Sequence, residues 1–187
     1  VRKEQPDTLI KVGAYAYYIR VPKDPNYRPE PNLAIQACHT YSCNNHRIEP
    51  PTCERNMKYF TKELEHWARL TDHLFIYEYY NKGAWFGLPY YQVHVMREDI
   101  PYYHDLGVKL LFTRGCGTEP FDRAAAAGLN HYIAAKLVWE PNYDVDKLLA
   151  DFYRKFYGEA AEPMRRFWRA VRRAFTGTDE CVSPYSY

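Results

Sequence analysis

Apolar residues along the chain gather into two kinds of segment that take turns. Residues 8–21 (TLIKVGAYAYYIRV), 33–41 (LAIQACHTY), 73–80 (HLFIYEYY) and 108–115 (VKLLFTRG) are dense in β-branched and aromatic side chains and read as strands. None alternates cleanly between apolar and polar positions, a pattern that suits strands buried on both faces of a parallel sheet. Residues 53–71 instead place Met57, Phe60, Leu64, Trp67 and Ala68 at helical spacing, with Lys58, Lys62 and Glu63 opposite. A shorter helix is predicted over 94–106, kinked at Pro101 and capped by Gly107, and a longer one over 121–139. After EPNY only helical patterns remain. Asp144 caps a helix that buries Val145, Leu148, Leu149, Phe152 and Phe156 and stops at Gly158. A last helix over about 160–175 carries Met164, Phe167, Trp168 and Val171, and the tail reads as irregular.

Strands that alternate with helices predict an α/β fold with a parallel sheet. Four strands cannot close a (β/α)8 barrel, which needs about eight units. The pattern therefore fits an open four-stranded sheet or the C-terminal half of a TIM-type barrel followed by two helices. The corresponding division is residues 1–140 for the half barrel, 141–176 for a trailing helical segment packed on it, and 177–187 for the tail.

Composition narrows the function little. The chain has 187 residues and a formal net charge of +2, without the basic excess of a nucleic-acid binder. The arginines at 165, 166, 169, 172 and 173 read as a solvated helix face. No apolar run approaches the ~20 residues of a membrane span. Val1 is not an initiator methionine, so the N-terminus is expected to be cut from a longer polypeptide. Nineteen tyrosines supply rings with polar tips, which suit surfaces that contact polar ligands. Among five cysteines, Cys38, Cys43 and Cys53 lie close enough in sequence to include one disulfide. The run Cys38, His39, Cys43, His46, Cys53 has the spacing C-H-x3-C-x2-H-x6-C, which matches no common paired zinc spacing. No metal and no cofactor is expected.

Several blocks resemble a bacterial carbohydrate-associated family. They are GAYAYYIRVP, the second strand with NNHRIEPPTCERN, Trp67 ahead of IYEYY, and above all LNHYIAAKLVWEPNYDVDKLLADFYRKFYGEAAEPM at 129–164. The family is domain of unknown function 4838, a glycoside-hydrolase-like barrel associated with glycoside hydrolase family 163, and the resemblance runs from about 10 to 167. It implies that the chain corresponds to strands five to eight of a barrel plus the trailing helices. It also implies a parent acting on glycans, N-acetylhexosamine-containing ones among them, by carboxylate acid–base chemistry, and a secreted, periplasmic or cell-surface setting. Related barrels carry acidic catalytic residues at the end of strand four, which this chain lacks.

Barrel sites lie at the C-terminal ends of the strands. The residues falling there include Tyr15, Tyr17 and Tyr18, then His39 and Tyr41, then Glu78, Tyr79 and Tyr80, then Arg114. Glu78 is the sole acidic candidate at a strand end, either handling protons or sugar, or pairing structurally with Arg114 or His39. Arg114 and His39 are polar orienting candidates. Trp85, between Gly83 and Gly87, is a candidate to stack on a sugar ring. Three functions stay open: a glycoside hydrolase part, a non-catalytic carbohydrate-binding domain, and an α/β domain whose open sheet edges need the other barrel half or self-association.

Overall fold

The strands are shorter than their apolar runs because two backbone turns cut them off. β1 (Ile10–Ala14) and β2 (Leu33–Cys38) are followed by residues in the left-handed region, Ala16 at φ +54° and Tyr41 at φ +61°. A left-handed residue cannot continue a strand, so the predicted stretches 15–21 and 39–41 leave the sheet. β3 (Leu74–Glu78) and β4 (Leu110–Thr113) complete it. The computed structural model describes residues 4–5, 7–81, 88–113 and 121–182, without the side chains of 121–126.

The strand order is β1-β2-β3-β4 and every neighbouring pair is parallel. Parallel strands in sequential order, joined by crossovers of one hand, stack all their helices on one face. α1 (Glu54–Asn56) and α2 (Lys62–Ala68), joined by a π-helical turn at Met57–Thr61, follow β2. α3 (Val93–Asp105) follows β3, and α4 (Phe121–Trp139) follows β4. Ile35, Ala37, Leu74 and Ile76 bury one sheet face against Phe60, Leu64, Trp67 and Tyr103. A second core joins α3 and α4 to α5 (Val145–Tyr157) and α6 (Ala161–Thr176), and half-buried Leu111 of β4 touches both cores. This is the architecture of half a (β/α)8 barrel with two further helices.

The opposite sheet face carries Lys11 paired with Ala34, Gly13 with Gln36, Gln36 with Phe75, Phe75 with Leu110, and Tyr77 with Cys38 and Phe112. Three strand spacings and, in the register, four residue positions separate Lys11 from Phe112, about 19 Å in a flat sheet and too far for the two side chains to approach within about 6 Å. Yet the Lys11 ammonium lies 6.0 Å from the Phe112 ring centre. The sheet therefore curls, and this face is its concave side.

Burial on both faces holds for β2 alone among the four strands. Edge strand β1 exposes Ile10 and Val12, and β4 exposes Leu110 and Phe112. The helices keep close to expectation. Asp144 caps α5 by accepting from the backbone N–H groups of Asp146 and Lys147, at 3.0 and 3.1 Å. Gly107, at φ +82°, ends the α3 turn in a conformation that glycine adopts without strain. Phe156 is the exception: it is 58% exposed and stacks on Phe152 from outside, so the apolar stripe of α5 is wider than the core it meets.

Removing the α5 cap should be measurable without touching the sheet. Asp144→Ala is expected to lower the urea midpoint of unfolding, because the Asp146 and Lys147 N–H groups lose their acceptor. An unchanged midpoint would show that α5 is held by its apolar face alone.

Candidate functional site

Strand periodicity decides which side chains reach the concave face. Successive residues point to opposite faces, so Ile76 on the helix side sends Tyr77 and Tyr79 inward and Glu78 back toward the helices. Contacts bear this out. The Tyr77 ring lies 5.0 Å from Tyr79 and 4.9 Å from Phe112, and Tyr79 Oη is 3.4 Å from Thr40 Oγ1. His39 packs its ring against Phe60 at 4.4 Å, on the helix side.

Glu78 is 2% exposed and enclosed by donors. Its Oε1 accepts from the hydroxyl of Tyr103 on α3, and both carboxylate oxygens lie 3.1 Å from His39 Nδ1. The Tyr79 backbone N–H donates to Oε2 at 3.2 Å. A ring nitrogen facing a carboxylate carries the hydrogen, which leaves His39 Nε2 as the other nitrogen of the pair; among the described residues it has no partner. Burial, then the Glu78 charge, push the Tyr103 phenol well above its ordinary range, so it stays a donor. Asp99 on α3 is buried nearby and accepts from Ile48 N–H at 2.8 Å. Burial holds its carboxyl well above the usual carboxylate range. Tyr80 also turns to the helices, where its carbonyl accepts from Asn130 Nδ2 at 3.0 Å.

The rim is built differently. Ile19 is buried behind β1, its carbonyl accepts from Trp67 Nε1 at 2.7 Å, and Glu63 accepts from Val21 N–H at 2.8 Å. With that segment pinned to α2, the turn before it points outward. Tyr15, Tyr17 and Tyr18 are 42%, 69% and 83% exposed. Tyr41 is exposed beside them, its ring 6.1 Å from that of Tyr17. Ala16 and Tyr41 both hold left-handed backbone, which costs about 1–2 kcal/mol for a residue with a side chain. Strain of this kind persists where surrounding contacts fix it, and it concentrates at working sites. A shallow cleft next to the pair is lined by Tyr17, Thr40, Tyr41, Lys58, Tyr59 and Glu63.

The sequence-predicted residues thus separate into groups. Tyr15 and Tyr17 lie on the rim and Tyr79 on the concave side, while His39, Glu78 and Tyr80 face the helices. Trp85 and Arg114 lie outside the described residues. Phe112, Thr40 and Tyr59 are not among the sequence candidates, and Tyr77, in the aromatic run 76–91, is placed on the concave face by counting by twos from Ile76. The cysteine and histidine run divides as well. His39 goes to Glu78, Cys38 lies in β2, and Cys43, His46 and Cys53 meet Cys181 from the tail, all four cysteines being free thiols.

A family model described as domain of unknown function (DUF4838) matches residues 1–169, and the chain belongs to that family. No curated protein and no solved structure matches the chain.

Two substitutions test the buried network. Tyr103→Phe removes a donor from a carboxylate that water cannot reach and is expected to cost ~1–3 kcal/mol of stability in denaturant unfolding. A loss below ~0.5 kcal/mol would mean that Glu78 does not depend on it. Asp99 has a folded pKa above its unfolded value of ~4, so its contribution favours the fold fully below that value and is lost as pH rises through the folded pKa. Asp99→Asn keeps an acceptor for Ile48 N–H and removes this loss. The variant should gain stability relative to the native protein at pH ~8 compared with pH ~4; an equal difference at both would refute the assignment.

Proposed function

We propose that this member of the family supplies the glycan-holding half of a glycoside-hydrolysing barrel. The observation that carries the reading is the row of exposed tyrosines at the C-terminal ends of β1 and β2, set by two strained turns. Aromatic faces pack on the C–H faces of sugar rings, and phenol hydroxyls reach their polar edges. The cleft beside Tyr17 and Tyr41 adds Lys58 and Glu63 as polar partners.

Hydrolysis of a glycosidic bond ordinarily uses two carboxyl groups about 5–9.5 Å apart, with room between them for sugar or water. Among the described residues, the concave positions of the four strands carry no carboxylate: they are Lys11, Gln36, Phe75, Tyr77 and Phe112 with their small or aliphatic neighbours. Glu78 acts in this reading as a positioning residue that holds His39 and α3 behind the rim. The acid and base come from elsewhere in a completed barrel. A binding domain without turnover is the alternative within the same site. The exposed edges, Ile10 and Val12 on β1 and Leu110 and Phe112 on β4, favour completion of the sheet by another barrel half or by a second copy.

The test uses the protein at its natural length and a panel of oligosaccharides, some with N-acetylhexosamine. Tyr17→Ala and Tyr18→Ala are each expected to weaken binding about tenfold, or ~1.4 kcal/mol, while Tyr143→Ala, between α4 and α5, leaves it unchanged. Unaltered affinity in both rim variants would reject the sugar platform. Glu78→Gln with full turnover and full stability would remove the carboxylate from the mechanism altogether.

A further inference from the structure

Two segments far apart in sequence bring soft metal ligands to one point. Cys43 and His46 lie in the loop after β2, Cys53 is the residue before α1, and Cys181 lies in the tail beyond α6. Their four ligand atoms all lie within 4.8 Å of one another. His46 Nδ1 is 3.2 Å from Cys43 Sγ and 3.9 Å from Cys181 Sγ. A tetrahedral zinc ion with Zn–S near 2.3 Å and Zn–N near 2.0 Å requires ligand atoms about 3.5–3.8 Å apart. The two His46 separations bracket that value, and the widest in the cluster, up to 4.8 Å, closes to it with a contraction of about 1 Å. A disulfide, by contrast, requires sulfurs ~2.05 Å apart, and the cysteines are free.

The surroundings are those of a built site. Backbone N–H groups of Asn45 and Asn56 donate to the sulfurs of Cys43 and Cys53 at 3.3 and 3.4 Å and fix where the two sulfurs point. Asn56 is fully buried and clamps the loop from within: its Oδ1 accepts from Cys43 N–H at 2.7 Å and its Nδ2 donates to the carbonyls of His46 and Arg47. Asn45 does the same for the tail, donating to the carbonyls of Phe175, Thr178 and Glu180, while Asn44 N–H donates to Val182 O at 2.6 Å. The ligand positions on both sides are therefore fixed by hydrogen bonds that involve no metal.

We propose that Cys43, His46, Cys53 and Cys181 form a closed Cys3His zinc site that fastens the C-terminal tail to the loop after β2. Three thiolates and one neutral imidazole fill all four positions of a tetrahedral ion, so the site is structural and leaves no coordination place for a substrate. On binding, each thiol releases its proton to solvent and the ion takes the three sulfurs and Nδ1 of His46. The loop it holds also carries Tyr41, so the ion steadies one side of the rim. The site stands on its own geometry and is independent of the carbohydrate reading. Its fourth ligand lies beyond the matched segment 1–169.

The experiment is metal analysis of the natural-length protein purified under reducing conditions without chelator, followed by exchange of zinc for cobalt(II). The expected result is one zinc per chain and, with cobalt, the intense visible bands of a tetrahedral thiolate complex with its near-ultraviolet charge-transfer band. Cys181→Ser is expected to lower the metal affinity by at least tenfold, and Cys38→Ser, which alters a thiol outside the cluster, to retain it. Stripping zinc from the native protein should lower the melting temperature, and adding zinc back should restore it, which keeps the test valid if Cys181→Ser folds poorly. Reduced protein that takes up neither zinc nor cobalt would overturn the proposal. So would native material with any of Cys43, Cys53 and Cys181 in a disulfide, or a cobalt spectrum of octahedral type.

Discussion

A carboxylate taken out of water costs several kcal/mol unless donors replace the water it loses. Glu78 sits under that constraint at the junction of β2, β3 and α3, and much of the surrounding geometry satisfies it. Tyr103 must lie where α3 can bring its hydroxyl to Oε1, and His39 must turn its Nδ1 inward from the end of β2. The chain beyond Glu78 must present the Tyr79 N–H to the same group. These contacts tie the second strand, the third strand and the third helix together at the end of the sheet where a barrel keeps its chemistry. The same arrangement withdraws His39 and Glu78 from the concave face. Among the described residues, what faces inward at that level is aromatic and neutral.

The rim follows from a second constraint, the anchoring of α2 to the segment after β1. Trp67 and Glu63 hold Ile19 and Val21, and the chain reaches them only by leaving the sheet through a left-handed Ala16. The exposed tyrosines are thus a consequence of where the helix grips the backbone. Tyr41, left-handed at the end of the neighbouring strand, brings the second ring to the same place. The two strained turns are paid for by buried contacts on the helix side, which is how a surface feature comes to be rigid. The loop bearing Tyr41 then runs directly into the cysteine and histidine cluster and is hydrogen-bonded to the tail through Asn44 and Asn45.

Helix boundaries, the α/β class and the parallel sheet were legible in the sequence because each rests on local spacing. Apolar residues at helical intervals placed α4 and α5, Asp144 and Gly107 marked ends by their own chemistry, and strand–helix alternation forced parallel strands. Membership in the family was legible from the blocks around Tyr15, Trp67 and residues 129–164, and the match to residues 1–169 bears it out. The exposure of Phe156 was not, since a helix stripe does not say how wide a surface will meet it.

Which side of the sheet each strand residue occupies was decided in part by sequence and in part by packing. A two-residue repeat puts Glu78 opposite Tyr77 whatever the fold, but only the helices lying over Ile76 make Glu78 the buried one. The curl that brings Lys11 to Phe112, and the left-handed turns at Ala16 and Tyr41, depend on contacts between distant segments and leave no local mark. The cysteines show the same division most plainly. Sequence alone determined that Cys43, His46 and Cys53 lie on one short stretch; only the tertiary structure brought Cys181 to them, because a ligand set is defined by distance in space, and the path of α5 and α6 back to the second strand is fixed by long-range packing.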